Sequence, residues 1–361
     1  MTRQIVTMVL AVGKRGLHDG VMPTADISAP EMPNSGRAPA DDSSQRRWEE
    51  MLGSLTALLP AGSRCVRVDG PADQAGLFAS RLTAKLAGQP GAPRLQVTLD
   101  AGGTADVTVF LRTAPGGRHF PVYTKEADQQ HRREREERAD IVVDLHDVGW
   151  PVIRRVAAPL AARGSWYLTE TRAFFACRAA TWDTKFGDDL PAYCAAVAEA
   201  GIRRSGVVID VGCGTGRALP PLREAVGPAG TVIALDVTPE MLAAARPAAQ
   251  LAGASLVIAD ARALPFAAGA VDAIFAAGLV NHLPDTAAGL RELARVTGPG
   301  GLLVLFHPSG RAALAARHGH ALSPDEPLAE GPLRTFTAAS GWNLTAYDDA
   351  PERFFAVAQR R

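Results

Sequence analysis

Three acidic residues stand at the ends of three apolar runs: Asp210 in "VVIDVGCGTGRAL", Asp236 in "TVIALD" and Asp260 in "ASLVIAD". The first is followed by Gly212, Gly214 and Gly216. A loop that leaves a buried strand and opens a helix presents free backbone N–H groups and the positive end of the helix dipole. Glycine lets a ligand approach that backbone closely. A dinucleotide loop spaces its glycines G-x-G-x-x-G and lays a pyrophosphate on the helix N-terminus, whereas the spacing here is G-x-G-x-G with a carboxylate just ahead of it. Beside a pyrophosphate that carboxylate is repelled; beside an ammonium group it is attracted. Asp236, 24 positions past Gly212, stands about where an acid accepts hydrogen bonds from ribose hydroxyls. Asp260 and Ala261 pair an acceptor with a backbone N–H, the complement of an adenine edge. The set reads as a site for a cationic, phosphate-free adenosine ligand.

Two histidines stand at carboxyl ends of later strands, where ligands bind in open α/β sheets: His282 in "NHLPD" and His307 at the end of "GLLVLFH". Either is a candidate general base for an acceptor that must lose a proton; the competing role for His282 is to order its loop. Arg311, Arg317, His318 and His320 follow in "PSGRAALAARHGH", where a polar acceptor pocket competes with plain solvation of the last three. Trp182, Phe186 and Tyr193 precede the glycine loop in helical segments, as walls for a planar or apolar substrate or as helix packing. Cys213, inside the loop, reads as packing.

These residues need a scaffold, and the pattern supplies one. From Val207 the chain alternates apolar runs ("VVIDV", "TVIALD", "ASLVIA", "VDAIFA", "GLLVLFH") with helices expected near 217–226, 239–251 and 285–296, a doubly wound parallel sheet. A helix near 332–340 and strands at 343–348 and 354–359 follow, the last two as an antiparallel edge pair. Upstream, helices are expected from Trp48 to Leu59 and Leu77 to Leu86, strands at 95–99, 107–112 and 141–145, and a charged, solvated helix in "QQHRREREERAD". The expected division is a mobile arm over 1–46, a small α/β domain over 47–160, lid helices over 161–203 and the ligand domain over 204–361.

The chain has 361 residues, 47% apolar and 21% charged, with zero formal net charge. That balance disfavours disorder and removes the basic footprint of a nucleic-acid binder. Cys65, Cys177, Cys194 and Cys213 show no metal-ligand or disulfide spacing, so no metal is expected and a reducing cytoplasm fits. The run Ile5 to Val12 after Arg3 is short for a signal peptide, and no run reaches the ~18 apolar residues of a membrane span.

On "VIDVGCGTGRAL", "VIALDVTPEML", "IADARALPF", "VDAIFAAGLVNHLPD" and "ELARVTGPGGLLVLFHP", in that order, the segment 200–310 resembles the class I S-adenosylmethionine-dependent methyltransferases. The resemblance implies a Rossmann-like doubly wound α/β domain and S-adenosylmethionine as cofactor. It also implies a small-molecule acceptor methylated on oxygen, nitrogen or carbon, in a setting such as secondary metabolism. It places Asp210, Gly212, Gly214 and Gly216 on the methionine portion, Asp236 on the ribose, and Val237 and Met241 against adenine. Asp260 and Ala261 would read the adenine edge, and Ala277 or Gly278 would offer backbone near the sulfonium. A non-catalytic S-adenosylmethionine sensor or assembly subunit is the competing function. The front segment "VRVDGPADQAGLFASRL", with "ADIVVDLHDVGWPVIRRV", weakly resembles the uridine-kinase-like P-loop family. Its glycines Gly70 and Gly76 are too far apart, and Leu77 and Phe78 replace the Lys and Ser/Thr that phosphoryl transfer needs. A degenerate P-loop domain without kinase activity is therefore expected, serving as scaffold, substrate-side wall or homodimer surface.

Overall fold

The computed structural model describes residues 40–88, 96–99, 104–113, 126–161, 165–186, 188–317 and 322–361. The expected arm lies outside these up to residue 39. Helix α1 (Ala40–Leu58) begins within the segment expected to be irregular. "ADDSSQRR" shows no apolar period because the deepest side chain it contributes is a cation. The Arg47 side chain is buried, its Nε donating to Pro151 O (2.8 Å) and its Nη2 to Glu170 Oε2. The rest of α1 buries Trp48, Met51, Leu52, Leu55 and Leu58 at helical spacing.

The first sheet contains β1 (Cys65–Asp69), β2 (Gln96–Thr98), β3 (Val107–Arg112), β4 (Ile141–Asp144) and β5 (Val152–Val156). Helices α2 (Ala72–Ala87) and α3 (Glu126–Arg138) connect them. The order is β2-β1-β3-β4-β5, all parallel except β5, which runs antiparallel to β4. Between β4 and β5 the register passes from Val142↔Arg155 to Val143↔Ile153, leaving Arg154 as the extra residue of a bulge. The connection on which the phosphate-loop resemblance rests is only Gly70 and Pro71, since α2 starts at Ala72 and holds Gly76 in its interior. So short a link forms no cradle of free N–H groups around a phosphate.

Helices α4 (Ala158–Ala161), α5 (Trp166–Ala176), α6 (Trp182–Phe186) and α7 (Leu190–Glu199) lead to the second unit. The first face of α5 belongs to the front unit. Trp166 and Tyr167 share a core with Val68, Phe78 and Leu111, and Glu170 Oε2 accepts from both Arg47 and Ile153 N (2.8 Å).

The second unit alternates β6 (Val207–Val211), α8 (Leu219–Val226), β7 (Thr231–Asp236), α9 (Pro239–Ala252), β8 (Ser255–Ile258), β9 (Val271–Ala277), α10 (Thr286–Val296) and β10 (Thr297–His307). Then come α11 (Arg311–Arg317), α12 (Glu330–Ala339), β11 (Trp342–Ala350) and β12 (Arg353–Arg360). The sheet order is β11-β12-β10-β9-β6-β7-β8, with β6 to β10 parallel and β12 antiparallel to both β10 and β11. This is the doubly wound sheet with an antiparallel edge pair that the pattern predicts. Local chemistry sets its corners: Asp285 caps α10 by accepting from Ala288 N (2.8 Å), and Gly253 ends α9 in the left-handed region. The buried Trp342 donates from Nε1 to Leu290 O (3.0 Å) and fastens β11 to α10. No helix among the described residues is long and apolar enough to cross a membrane.

Candidate functional site

The carboxyl ends of β6, β7, β9 and β10 converge below α5, α6 and α7. Strand β6 delivers Asp210, buried between β7 and β9 in register with Ala234 and Phe275. Its Oδ2 has no hydrogen-bond partner among the described residues. Burial, with the charge of Asp236 behind it, pushes the carboxyl up to about 8. A buried carboxylate without a partner is costly unless a cation arrives to pair with it. Directly after it, Gly212, Gly214 and Gly216 all take positive φ (75°, 53° and 88°). Gly212 and Cys213 donate to Leu235 O (2.7 and 3.0 Å), which draws the loop onto β7. A side chain at Gly216 would meet Leu219, Ala248 and Ala245 within 3.3 Å, so this glycine seats α8 against α9. At Gly214 a side chain would meet nothing within 4 Å, so the loop backbone stands beside open space. Cys213 is buried and its thiol is pushed up by desolvation, consistent with packing.

At the end of β7, Asp236 bolts the loop in place: Oδ2 accepts from Gly214 N (3.0 Å) and Oδ1 from Thr238 N (2.8 Å). Burial raises its carboxyl, against the pull of those N–H groups. Val237 follows, half-buried, with its carbonyl accepting from Arg172 Nε of α5 (2.9 Å). Met241 lies in the core at the start of α9. Asp260 departs from the expected free acceptor. Arg262 grips it with Nε (3.1 and 3.0 Å) and Nη2 (2.7 Å), and Arg262 stacks 4.2 Å from the Tyr167 ring centre on α5. Nothing in the spacing D-A-R marks that grip, because it depends on Tyr167 lying far upstream. Ala261, beside it, is buried.

A second set, announced by no sequence motif, ties α6 and the start of α7 to the glycine loop. Asp183 of α6 accepts from Thr215 Oγ1 (2.6 Å) and Arg217 Nε (3.0 Å), and Arg217 Nη1 pairs with Asp189 (2.5 Å). The aspartates stand over the loop only once α6 folds back, so no local motif announces them.

Toward the other edge of the parallel strands, Ala277 ends β9, and Gly278, at φ 69°, donates to Phe306 O (2.9 Å). His282 lies in a single 3₁₀ turn, its ring edge-on to Phe175 of α5 (5.1 Å), which also meets Trp182 (5.7 Å). Phe175 therefore joins two predicted residues and belongs to the wall they form. His307 ends β10 with Nδ1 between Ser309 O (3.0 Å) and Ser309 N (3.1 Å). Burial lowers its imidazole, keeping it neutral near pH 7; Nδ1 accepts from Ser309 N in one tautomer and donates to Ser309 O in the other, and only the second leaves the Nε2 lone pair free. A shallow, open cleft lies here, lined by Gly278, Asn281, His307, Arg311, Leu314 and Phe354 among others. Arg311 is largely committed to structure through Asp349 (3.2 Å), Glu326 (3.3 Å) and Ser323 O (2.9 Å), leaving a buried Nε without a partner among the described residues. Tyr193 packs its ring on Phe306 (4.9 Å) and Phe275 (6.2 Å), as a core residue whose hydroxyl is raised by burial and by Asp189 and Asp210. Arg317 donates to Ser309 Oγ (3.0 Å). The Phe186 side chain, His318 and His320 lie outside the described residues.

Residues 209–305 match the methyltransferase domain family. The chain is similar to an uncharacterized 37.1 kDa transposon protein of Streptomyces fradiae, 37% identical over 28% of this chain and 29% of that one. It is also similar to the demethylmenaquinone methyltransferase of Staphylococcus aureus, 34% identical over 31% of this chain and 46% of that one. It thus spans less than half the length of either curated relative. A solved S-adenosylmethionine-dependent methyltransferase from Aquifex aeolicus aligns over 48% of this chain and 90% of its own, at 24% identity and a TM-score of 0.40.

Proposed function

From the premise that the C-terminal part of this chain is a class I S-adenosylmethionine-dependent methyltransferase domain, we propose that the whole protein methylates a small molecule. The acceptor would lie between the β9 and β10 ends and the wall of α5 and α6. The observation that carries this reading is Asp210, a buried carboxylate with an orphaned oxygen at the mouth of a glycine loop. That donor set fits an α-ammonium group and repels a pyrophosphate. The relative named for demethylmenaquinone favours a small-molecule acceptor.

Bound S-adenosylmethionine supplies an electrophilic methyl group on a sulfonium, open to in-line displacement by an acceptor lone pair. The residues of this chain then have holding and orienting roles, which account for much of the rate in a reaction of this kind. Asp210 pairs with the ammonium group, and the loop backbone at Gly212 and Gly214 lies along the methionine portion. Asp236 keeps its place through Gly214 N and Thr238 N and offers its remaining lone pairs to ribose. Asp260, oriented by Arg262, and the Ala261 N–H meet the adenine edge, with Val237 and Met241 beside the ring. Ala277 and Gly278 supply backbone near the sulfonium. His307 Nε2 takes the proton of an acceptor that must lose one, and His282 holds Phe175 against the acceptor.

Release of S-adenosylhomocysteine from S-adenosylmethionine, followed with a panel of phenols, carboxylic acids and amines, tests the proposal. We expect acceptor-dependent release, with His307→Ala lowering kcat by about 10²-fold or more on proton-losing acceptors. Affinity for S-adenosylhomocysteine should stay within about twofold in that variant. Tight S-adenosylhomocysteine binding with no release across the panel would instead favour the sensor or assembly role.

A further inference from the structure

The boundary between the two units holds a cluster that methyl transfer, as described, does not use. Arg154 is the bulged residue of β5, and a bulge re-aims the side chain it carries. Its guanidinium lies 3.5 Å from the centre of the Phe174 ring on α5, and that of Arg178 lies 3.8 Å from the same centre. Arg178 is anchored by Nη1 to Phe174 O (2.7 Å). Arg154, half-buried, has no ion pair and no hydrogen-bond acceptor among the described residues. The other charged groups nearby are engaged: Asp144 accepts from His146 N (2.9 Å) and meets its Nδ1 (2.6 Å), while Arg112 pairs with Glu136. Stacking on a ring occupies the face of a guanidinium and leaves its in-plane N–H fork to bind an anion. Burial, with the like charges of Arg112 and Arg178 and against the pull of Asp144, pushes Arg154 down to about 10. The cluster sits beside the carboxyl end of β4, since Asp144 is in register with Val152.

The same ring leads toward the methyl-transfer site. Phe174 meets Phe175 edge-on at 5.0 Å, and Phe175 meets His282 at 5.1 Å. We propose that Arg154, with Arg178 on the opposite face of the same ring, binds an anionic group of the acceptor, a phosphate or a carboxylate, and that the acceptor passes the edge of Phe174 and runs along Phe175 with its reacting atom toward the ends of β9 and β10. The acceptor half of this inference rests on the methyltransferase reading; the anion site stands on its own geometry. It gives the front unit a part in recognition that its shortened loop does not provide.

Calorimetry on the full chain at low ionic strength tests it, with inorganic pyrophosphate and citrate as probes, each with and without saturating S-adenosylhomocysteine. We expect one of the two anions to bind, the stronger one identifying phosphate or carboxylate chemistry. Arg154→Met should weaken it about tenfold or more, and Arg154→Lys, which keeps the charge but loses the fork, should fall between. Affinity for S-adenosylhomocysteine should stay within about twofold in both variants, showing that they are folded. Saturating S-adenosylhomocysteine should leave anion binding intact, since cofactor and acceptor must bind together. Absence of binding by either anion, equal binding to wild type and Arg154→Met, or mutual exclusion with S-adenosylhomocysteine would overturn the proposal. Failure of the wild type to bind S-adenosylhomocysteine at all would count against the methyltransferase reading alone.

Discussion

At the scale of single residues, Asp210 is the most informative group because burial has changed its chemistry. Its folded-state carboxyl titrates at about 8 against an ordinary value of 3.8. The native protein therefore holds a proton there that the unfolded chain has released, and stability falls as pH rises through that window. On the proposed reading, an arriving ammonium group would displace that proton. Cofactor affinity should thus rise from pH 6 toward 8 and then fall as the ligand's own α-amino group, with a reference pKa of about 7.7–8.0, loses its charge. Asp210→Asn should flatten the rising limb, measured as Kd across pH. It should also raise the Tm of the free protein at pH 8.5, because the asparagine carries no charge to bury; an unchanged or lower Tm would contradict the assignment. The contrast between two glycines separates structure from binding. Gly216→Ala must fit a β-carbon 2.9 Å from Leu219 Cδ1 at positive φ and should cost about 2–4 kcal/mol in urea unfolding. Gly214→Ala has open space around it, so its stability loss should stay near the ~1 kcal/mol of the left-handed backbone. S-adenosylhomocysteine binding to that variant should nevertheless weaken about tenfold or more.

At the scale of elements, the site depends on how the lid segment meets the glycine loop. Arg217, Asp183, Asp189 and Thr215 join α6 and the start of α7 to the turn after β6. Arg217 and Asp189 are largely shielded, so their pairing is worth more than an exposed surface bridge. Arg217→Ala should speed S-adenosylhomocysteine dissociation about tenfold while costing only about 1–2 kcal/mol of global stability. Stopped-flow fluorescence, with Trp182 as the nearby reporter, measures the first quantity. An unchanged off-rate would mean that the clasp packs the lid without retaining the ligand. The elements themselves were largely legible. The apolar runs that hold Asp210 and Asp236 match β6 and β7 nearly to the residue, because buried parallel strands leave few polar interruptions, whereas the half-exposed edge strand β8 stops at Ile258, short of Asp260. The start of α1 was not legible, because the inward side chain there is Arg47. Nor was β5, whose "VIRRV" breaks alternation at the bulged Arg154.

At the scale of the whole molecule, α5 makes the two units depend on each other. One side carries Glu170, buried against Arg47 and Ile153 N, and the other carries Arg172 to Val237 O and Tyr167 to Arg262. Removing one partner of a buried pair strands the other charge, so Glu170→Ala should destabilise the protein by about 3–5 kcal/mol. It should also weaken S-adenosylhomocysteine binding from a distance, with thermal unfolding and calorimetry reading the two effects. The links from α5 to Arg47, Val237 and Arg262 span 65 to 123 positions, which is why spacing picks out the acids at the strand ends but not the arginine and tyrosine that hold Asp260. The most direct test is calorimetry of S-adenosylmethionine, S-adenosylhomocysteine and NAD against the wild type and Asp210→Asn at pH 7, in two buffers of different ionisation enthalpy. Binding of both adenosyl ligands should release up to about one proton and weaken about 30-fold or more in Asp210→Asn, with no NAD binding. Tight binding of NAD alone, or adenosyl binding indifferent to Asp210, would contradict the assignment of this loop.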